Sequence, residues 1–138
     1  MKKRILILCT GNSCRSQMAQ AIINAERGDQ WEAHSGGTQP ADRPNPYALR
    51  ALAEIGIITE GQRPTHLSAY IGQPFDLVVT VCDDAADNCP VWMGQGQRVH
   101  IGFPDPALAI GDEESVMAVY RSVRDAIHVK LLALVDEA

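Results

Sequence analysis

Apolar and polar positions along the chain alternate between two periods. Lys3 to Leu8 predict a first strand whose residues 5–8 are an unbroken aliphatic run, the pattern of a parallel strand covered on both faces. From about Arg15, Met18, Ala21, Ile22 and Ala25 recur at spacings of three and four, which predicts an amphipathic helix ended by Gly28-Asp29. Trp31 to Gly37 alternate loosely with few apolar residues and suit a shorter edge strand. Its small Ser35-Gly36-Gly37-Thr38 end can approach a neighbouring loop. After a proline-rich connector, Asn45 and Pro46 form an N-cap and first helical position. Ala48, Leu49, Leu52 and Ile55 make the buried face of that helix, and Gly56 takes the C-terminal capping position.

Residues 57–73 are mixed, with room for a helical turn around Leu67 to Ile71. Phe75 to Val81 predict the next strand and Arg98 to Phe103 another. Asp112 then caps a long helix whose apolar stripe is Val116, Val119, Tyr120, Val123, Ile127, Leu131, Leu134 and Val135. Alternating strands and helices predict an α/β fold, a three-layer sandwich of a four-stranded parallel sheet flanked by helices on both faces. In such sheets ligands bind beyond the carboxyl ends of the strands. Cys9, Cys82 and the loop of Asp105 each follow a strand, so all three should share one sheet edge.

Composition narrows the class. The 138 residues suit one domain spanning 1–138, and 46% hydrophobic content supports a folded core. A net charge of −5 argues against general binding to nucleic acid or anionic membranes. An anionic substrate would need a local positive site. No stretch approaches the roughly 20 apolar residues of a membrane span, and the first aliphatic run is too short for a signal peptide. A cytoplasmic monomer is the expectation, and there four cysteines point to catalysis, redox chemistry or metal binding rather than a disulfide framework.

The chemistry concentrates in Cys9-Thr10-Gly11-Asn12-Ser13-Cys14-Arg15-Ser16, at a strand-to-helix turn. Such a turn points backbone N–H groups inward over a helix N-terminus and can hold a tetrahedral oxyanion. The helix end and Arg15 should favour Cys9 as a nucleophilic thiolate. Ser16 is placed to donate to that sulfur, and Asn12 to brace the loop through its amide. Thr10, Gly11, Asn12, Ser13, Cys14 and Arg15 are the candidate substrate-binding residues, with Cys14 filling the turn as a small residue. Asp105 could act as a general acid or simply as a turn residue beside Pro106. The x6 spacing of Cys82 and Cys89 does not suit a zinc knuckle, so no metal is expected there. His34, His66, His100 and His128 form no local cluster, and Trp31 and Trp92 read as packing residues.

The Cys-x5-Arg-Ser loop near the N-terminus resembles the signature of the low-molecular-weight tyrosine phosphatase fold family, and Asp105-Pro106 resembles that family's general-acid element. The segment from Val81 to Pro90 and the stretch from Asp105 to Asp125 are similar to thioredoxin-coupled arsenate reductases built on this fold. That resemblance covers nearly the whole chain. It implies arsenate as substrate, with phosphate or sulfate as mimics, and thioredoxin as reductant. It also implies a relay: Cys9 attacks arsenic, Cys82 attacks Cys9, and Cys89 attacks Cys82.

Some such reductases hold a potassium ion through an asparagine, a glutamate, a serine and an aspartate. Here Asn12 and Ser35 match, but Gln20 replaces the glutamate and the region of Thr65 and His66 offers no aspartate, so no tightly bound cofactor is expected. Proline at 104, before the acid, is a further departure. Two other functions remain open at the sequence level. One is a tyrosine phosphatase using Cys9, Arg15 and Asp105, although Ala107 to Gly111 lack aromatic residues to grip a phosphotyrosine ring. The other is a thiol redox sensor that does not turn over.

Overall fold

The computed structural model describes residues 2–83 and 90–138. Four parallel strands, β1 (Lys3–Cys9), β2 (Trp31–Gly37), β3 (Leu77–Thr80) and β4 (Gln97–His100), lie in the order β2-β1-β3-β4. Three α-helices accompany them: α1 (Arg15–Arg27), α2 (Pro46–Glu54) and α3 (Glu113–Glu137). Short 3-10 turns occupy Leu67–Tyr70 and Pro106–Leu108.

Strand geometry sends successive side chains to opposite faces, and β1 shows the result. Ile5, Ile7 and Cys9 join the main core with Met18, Ile22, Leu52, Tyr120 and Ile127 from the three helices. Leu6 and Leu8 enter a smaller cluster with Phe75, Val78 and Trp92, packed by Leu67 and Tyr70 of the first 3-10 turn. The three layers are therefore unequal: helices cover one face of the sheet, and among the described residues a turn and Trp92 cover the other. Burying each aliphatic side chain of β1 contributes about 1.5–3 kcal/mol before entropy is counted.

The local signals set the element ends. The Asn45 side chain accepts from Tyr47 N and Ala48 N, with Pro46 in the first turn. Gly56, at φ +80°, supplies the left-handed step that follows α2. Asp112 accepts from Ser115 N at 2.8 Å to cap α3. Several strand and helix faces differ from expectation: in α3, Val119 is exposed and Met117 is buried. Ile55 falls at the C-cap of α2 and is exposed, and Ile57 is buried instead. Ala25 is exposed and Ile23 is buried. Phe75, Val81 and Phe103 are buried but lie outside the strands, because their apolar runs continue past the point where ladder pairing stops. Among the described residues no helix is long and apolar enough to cross a membrane.

Candidate active site

The end of β1 delivers Cys9 to the carboxyl edge of the sheet, where it is 2% exposed. The chain then turns through residues 10–14 into α1. Two polar groups face the Cys9 sulfur: Ser16 Oγ at 3.0 Å and the Asn12 N–H, donating at 3.3 Å. Asn12 is fully buried and adopts φ +49°, a left-handed conformation for which asparagine is among the better-suited non-glycine residues. Its side chain ties the turn from both ends. Nδ2 donates to Ser16 Oγ at 2.7 Å, and Oδ1 accepts from Thr65 N at 2.8 Å. The sequence suggested a bracing amide; its partner on the distant Thr65 segment carried no local signal.

The neighbouring strand completes the seat. Gly37 pairs with Cys9, and a side-chain carbon at Gly37 would meet the Thr10 carbonyl oxygen, far inside van der Waals contact. Gln39 N and Ala41 N then donate to the carbonyls of Thr10 and Gly11 at 3.0 and 2.9 Å. These bonds turn loop carbonyls outward, leaving the concave side to N–H groups. Cys14 is the N-cap of α1 and makes no side-chain capping bond, so the positive helix end faces the cavity without competition from an internal cap.

Arg15 is 4% exposed, and its Nη1 donates to the Phe103 carbonyl at 3.1 Å. Its Nη2 lies 3.7 Å from Asp105 Oδ2. Asp105 in turn caps the second 3-10 turn, its Oδ1 accepting from Ala107 N at 2.9 Å. Thr10, Gly11, Asn12, Ser13, Cys14, Arg15 and Asp105 thus surround Cys9 in a cavity of about 180 Å³, closed on one side by Ala107. That volume accommodates a small tetrahedral anion.

The other thiols divide sharply. Cys14 is buried beside Tyr120 Oη, 4.0 Å away, and burial pushes its thiol up to about 11, partly offset by a hydrogen bond from Ser13. Tyr120 is raised too, by its own desolvation first and by Cys14 second. Burial thus favours the neutral form of both groups. Cys82 lies two residues beyond β3, is fully buried in the same core cluster as Cys9 and Cys14, and is disulfide-bonded, whereas Cys9 and Cys14 are free. Cys89 lies outside the described residues.

Ser35 Oγ donates to Gln20 Oε1 in a short hydrogen bond, and Asn12 Oδ1 is engaged by Thr65 N. These neutral side chains are thus paired with one another and with the backbone.

A cysteine held beneath an arginine-bearing anion loop, at the strand ends of a parallel sheet, defines a cysteine-dependent oxyanion enzyme. The profile of the low molecular weight phosphotyrosine protein phosphatase family matches residues 4–138, and the chain belongs to that family. Within it, the chain is 48% identical to an arsenate reductase of Halalkalibacterium halodurans over 91% of this chain and 90% of that protein. It is 45% identical to an arsenate reductase of Bacillus subtilis over 94% and 92%. Among solved structures, an arsenate reductase in the phosphate-binding state superposes with a TM-score of 0.82, covering 98% of both chains at 24% identity. That last likeness bears on the fold.

Proposed function

We propose that the protein reduces arsenate to arsenite through a three-cysteine relay. Arsenate enters the loop cavity with its oxygens on backbone N–H groups and the Arg15 guanidinium, whose planar fork matches an oxyanion edge. Cys9 attacks arsenic, and Asp105, held at the rim by Ala107 N and Arg15, protonates the departing oxygen. Cys82 then attacks the Cys9 sulfur. A Cys9–Cys82 disulfide forms, the sulfur–arsenic bond breaks with its electron pair on arsenic, and arsenite leaves. Cys89 attacks Cys82 and frees Cys9, moving the disulfide to Cys82–Cys89 for reduction by thioredoxin.

The observation that carries this reading is the second thiol position. A phosphatase needs only the loop, its arginine and an acid. Here Cys82 stands at the end of the neighbouring parallel strand, in the same buried cluster as Cys9. A bonded Cys82 beside a free Cys9 is the condition that the relay reaches after its last step. The test supplies purified protein with arsenate, thioredoxin, thioredoxin reductase and NADPH, and follows NADPH loss. Arsenate-dependent turnover that disappears in Cys9→Ser, Cys82→Ser and Cys89→Ser is expected. Robust aryl-phosphate hydrolysis indifferent to Cys82, with no arsenate-dependent NADPH loss, would replace the reductase with a phosphatase.

A further inference from the structure

The anion loop is held at two places. Asn12 ties its first half to Ser16 and to Thr65. Its second half is held by the other two helices. The Asn45 N–H, at the N-cap of α2, donates to the Ser13 carbonyl at 2.9 Å. From α3, the buried Tyr120 brings its Oη to 4.0 Å from Cys14 Sγ, a hydrogen-bond contact for the large and weakly bonding sulfur. These two holders are themselves packed together. The Tyr120 ring stacks on Tyr47, in the first turn of α2, with centroids 5.4 Å apart and planes at 30°. The Asn45 side chain also approaches the Tyr120 hydroxyl, while its Oδ1 accepts from Tyr47 N and Ala48 N. Stacking and burial therefore fix where the hydroxyl stands before any ligand enters.

Cys14 is the residue at which the loop passes into α1. Its carbonyl accepts from Met18 N at 2.9 Å, and it lines the anion cavity. Its side chain makes no capping bond. The sulfur has Ser13 Oγ at 3.7 Å, on the adjoining residue, and Tyr120 Oη as its contact from outside the loop. A cysteine side chain without such a tie is free to exchange among staggered rotamers, and here every exchange would move a wall of the cavity. We propose that the Tyr120 hydroxyl fixes the Cys14 side chain and, through it, the shape of the anion cavity. The assignment deepens the reading above and rests on it for the identity of the anion as arsenate. Tyr120 touches no substrate; it is a positioning residue. A tie made in advance removes part of the ordering cost of binding, so its loss weakens affinity and leaves the chemical step alone.

Tyr120→Phe removes the hydroxyl and keeps the ring on Tyr47. Reduced full-length protein is treated with iodoacetamide at rising phosphate, and Cys9 labelling is followed by peptide mass mapping. The phosphate concentration that halves labelling should rise about fivefold, the net worth of one hydrogen bond. With arsenate, thioredoxin, thioredoxin reductase and NADPH, KM should rise by the same factor while kcat stays within about twofold. The effect should pass through the sulfur. In a Cys14→Ala background, Tyr120→Phe should therefore raise neither quantity further; in Cys14→Ser, which still offers the hydroxyl a partner, the rise should return. An unchanged phosphate requirement in Tyr120→Phe overturns the proposal, and wild-type arsenate turnover would then leave the reductase reading intact. A rise that is just as large in Cys14→Ala also overturns it, because the hydroxyl would be acting on packing alone. So does a fall in kcat with KM unchanged. If the wild type reduces no arsenate but the phosphate series behaves as expected, the reductase reading fails and the Tyr120 assignment stands. If phosphate does not protect Cys9 in the wild type, both fall.

Discussion

The loop after β1 and the strand ends of β3 and β4 sit on the same sheet edge but are built on opposite terms. β1 is central and seven residues long, and residues 5–8 are completely buried between two apolar clusters. Its loop has Asn12, Ser16 and Arg15 all buried and each tied to a named partner. β4 is a four-residue edge strand with three of four side chains exposed, and among the described residues the layer over that half of the sheet is thin. A binding loop gains from a fixed geometry, because donors already aimed at an anion need no reorganisation during reaction. A relay cysteine gains from the reverse, since sparsely packed elements open at lower free energy. If the proposed relay operates, its two halves fall to regions that are packed differently among the described residues.

The largest effects should come from the thiols and should differ in kind. Cys9→Ser abolishes turnover with no adduct formed. Cys82→Ser also abolishes turnover, yet phosphate should still compete for the loop, as read by protection of Cys9 from iodoacetamide. Loss of that protection in Cys82→Ser would erase the division between the regions. Next, Arg15→Lys removes the fork while keeping the charge; kcat/KM should drop about 10²–10³-fold, and a drop below tenfold would mean that the backbone N–H groups alone hold the anion.

The stiffness contrast itself is probed by core truncation. Ile7→Ala, at a fully buried site in β1, should cost about 2–5 kcal/mol in urea unfolding. Val99→Ala, half-buried on β4, should cost under about 1.5 kcal/mol, because less area is withdrawn from water. Equal costs would contradict the asymmetry. The smallest effect concerns Cys14, whose thiol burial raises from 9.0 to about 11. A raised value means the folded state favours the neutral thiol. The stability this contributes is complete below the ordinary value and is lost as pH rises through about 11. Iodoacetamide at neutral pH should label Cys14 only after unfolding, as read by peptide mass mapping.

Much of this arrangement was legible because it rests on short-range rules. The aliphatic run of β1, the Asn45 and Asp112 caps and the glycine after α2 each act within a few residues. The sheet edge shared by Cys9 and Asp105 followed from strand order, and the Arg15–Asp105 approach is its consequence. What could not be read were bonds whose partners lie far along the chain. Thr65 to Asn12 spans 53 residues and Arg15 to the Phe103 carbonyl spans 88. Strand ends were overextended at Val81 and Phe103 because burial, which the apolar pattern reports, continues where pairing has ceased. His100 looked isolated because Thr80 is a neighbour only once β3 and β4 are paired.

The contact between Gly37 and the Thr10 carbonyl has a consequence for transplantation. An engineer lifting the anion loop onto another parallel sheet would ordinarily copy the contiguous cysteine-to-serine stretch and its flanking strand and helix. That graft would fail beside any neighbouring strand ending in a residue with a Cβ, which would displace the loop backbone before any ligand arrived. The smallest portable unit is discontinuous: the loop, plus one side-chain-free position on the strand next door.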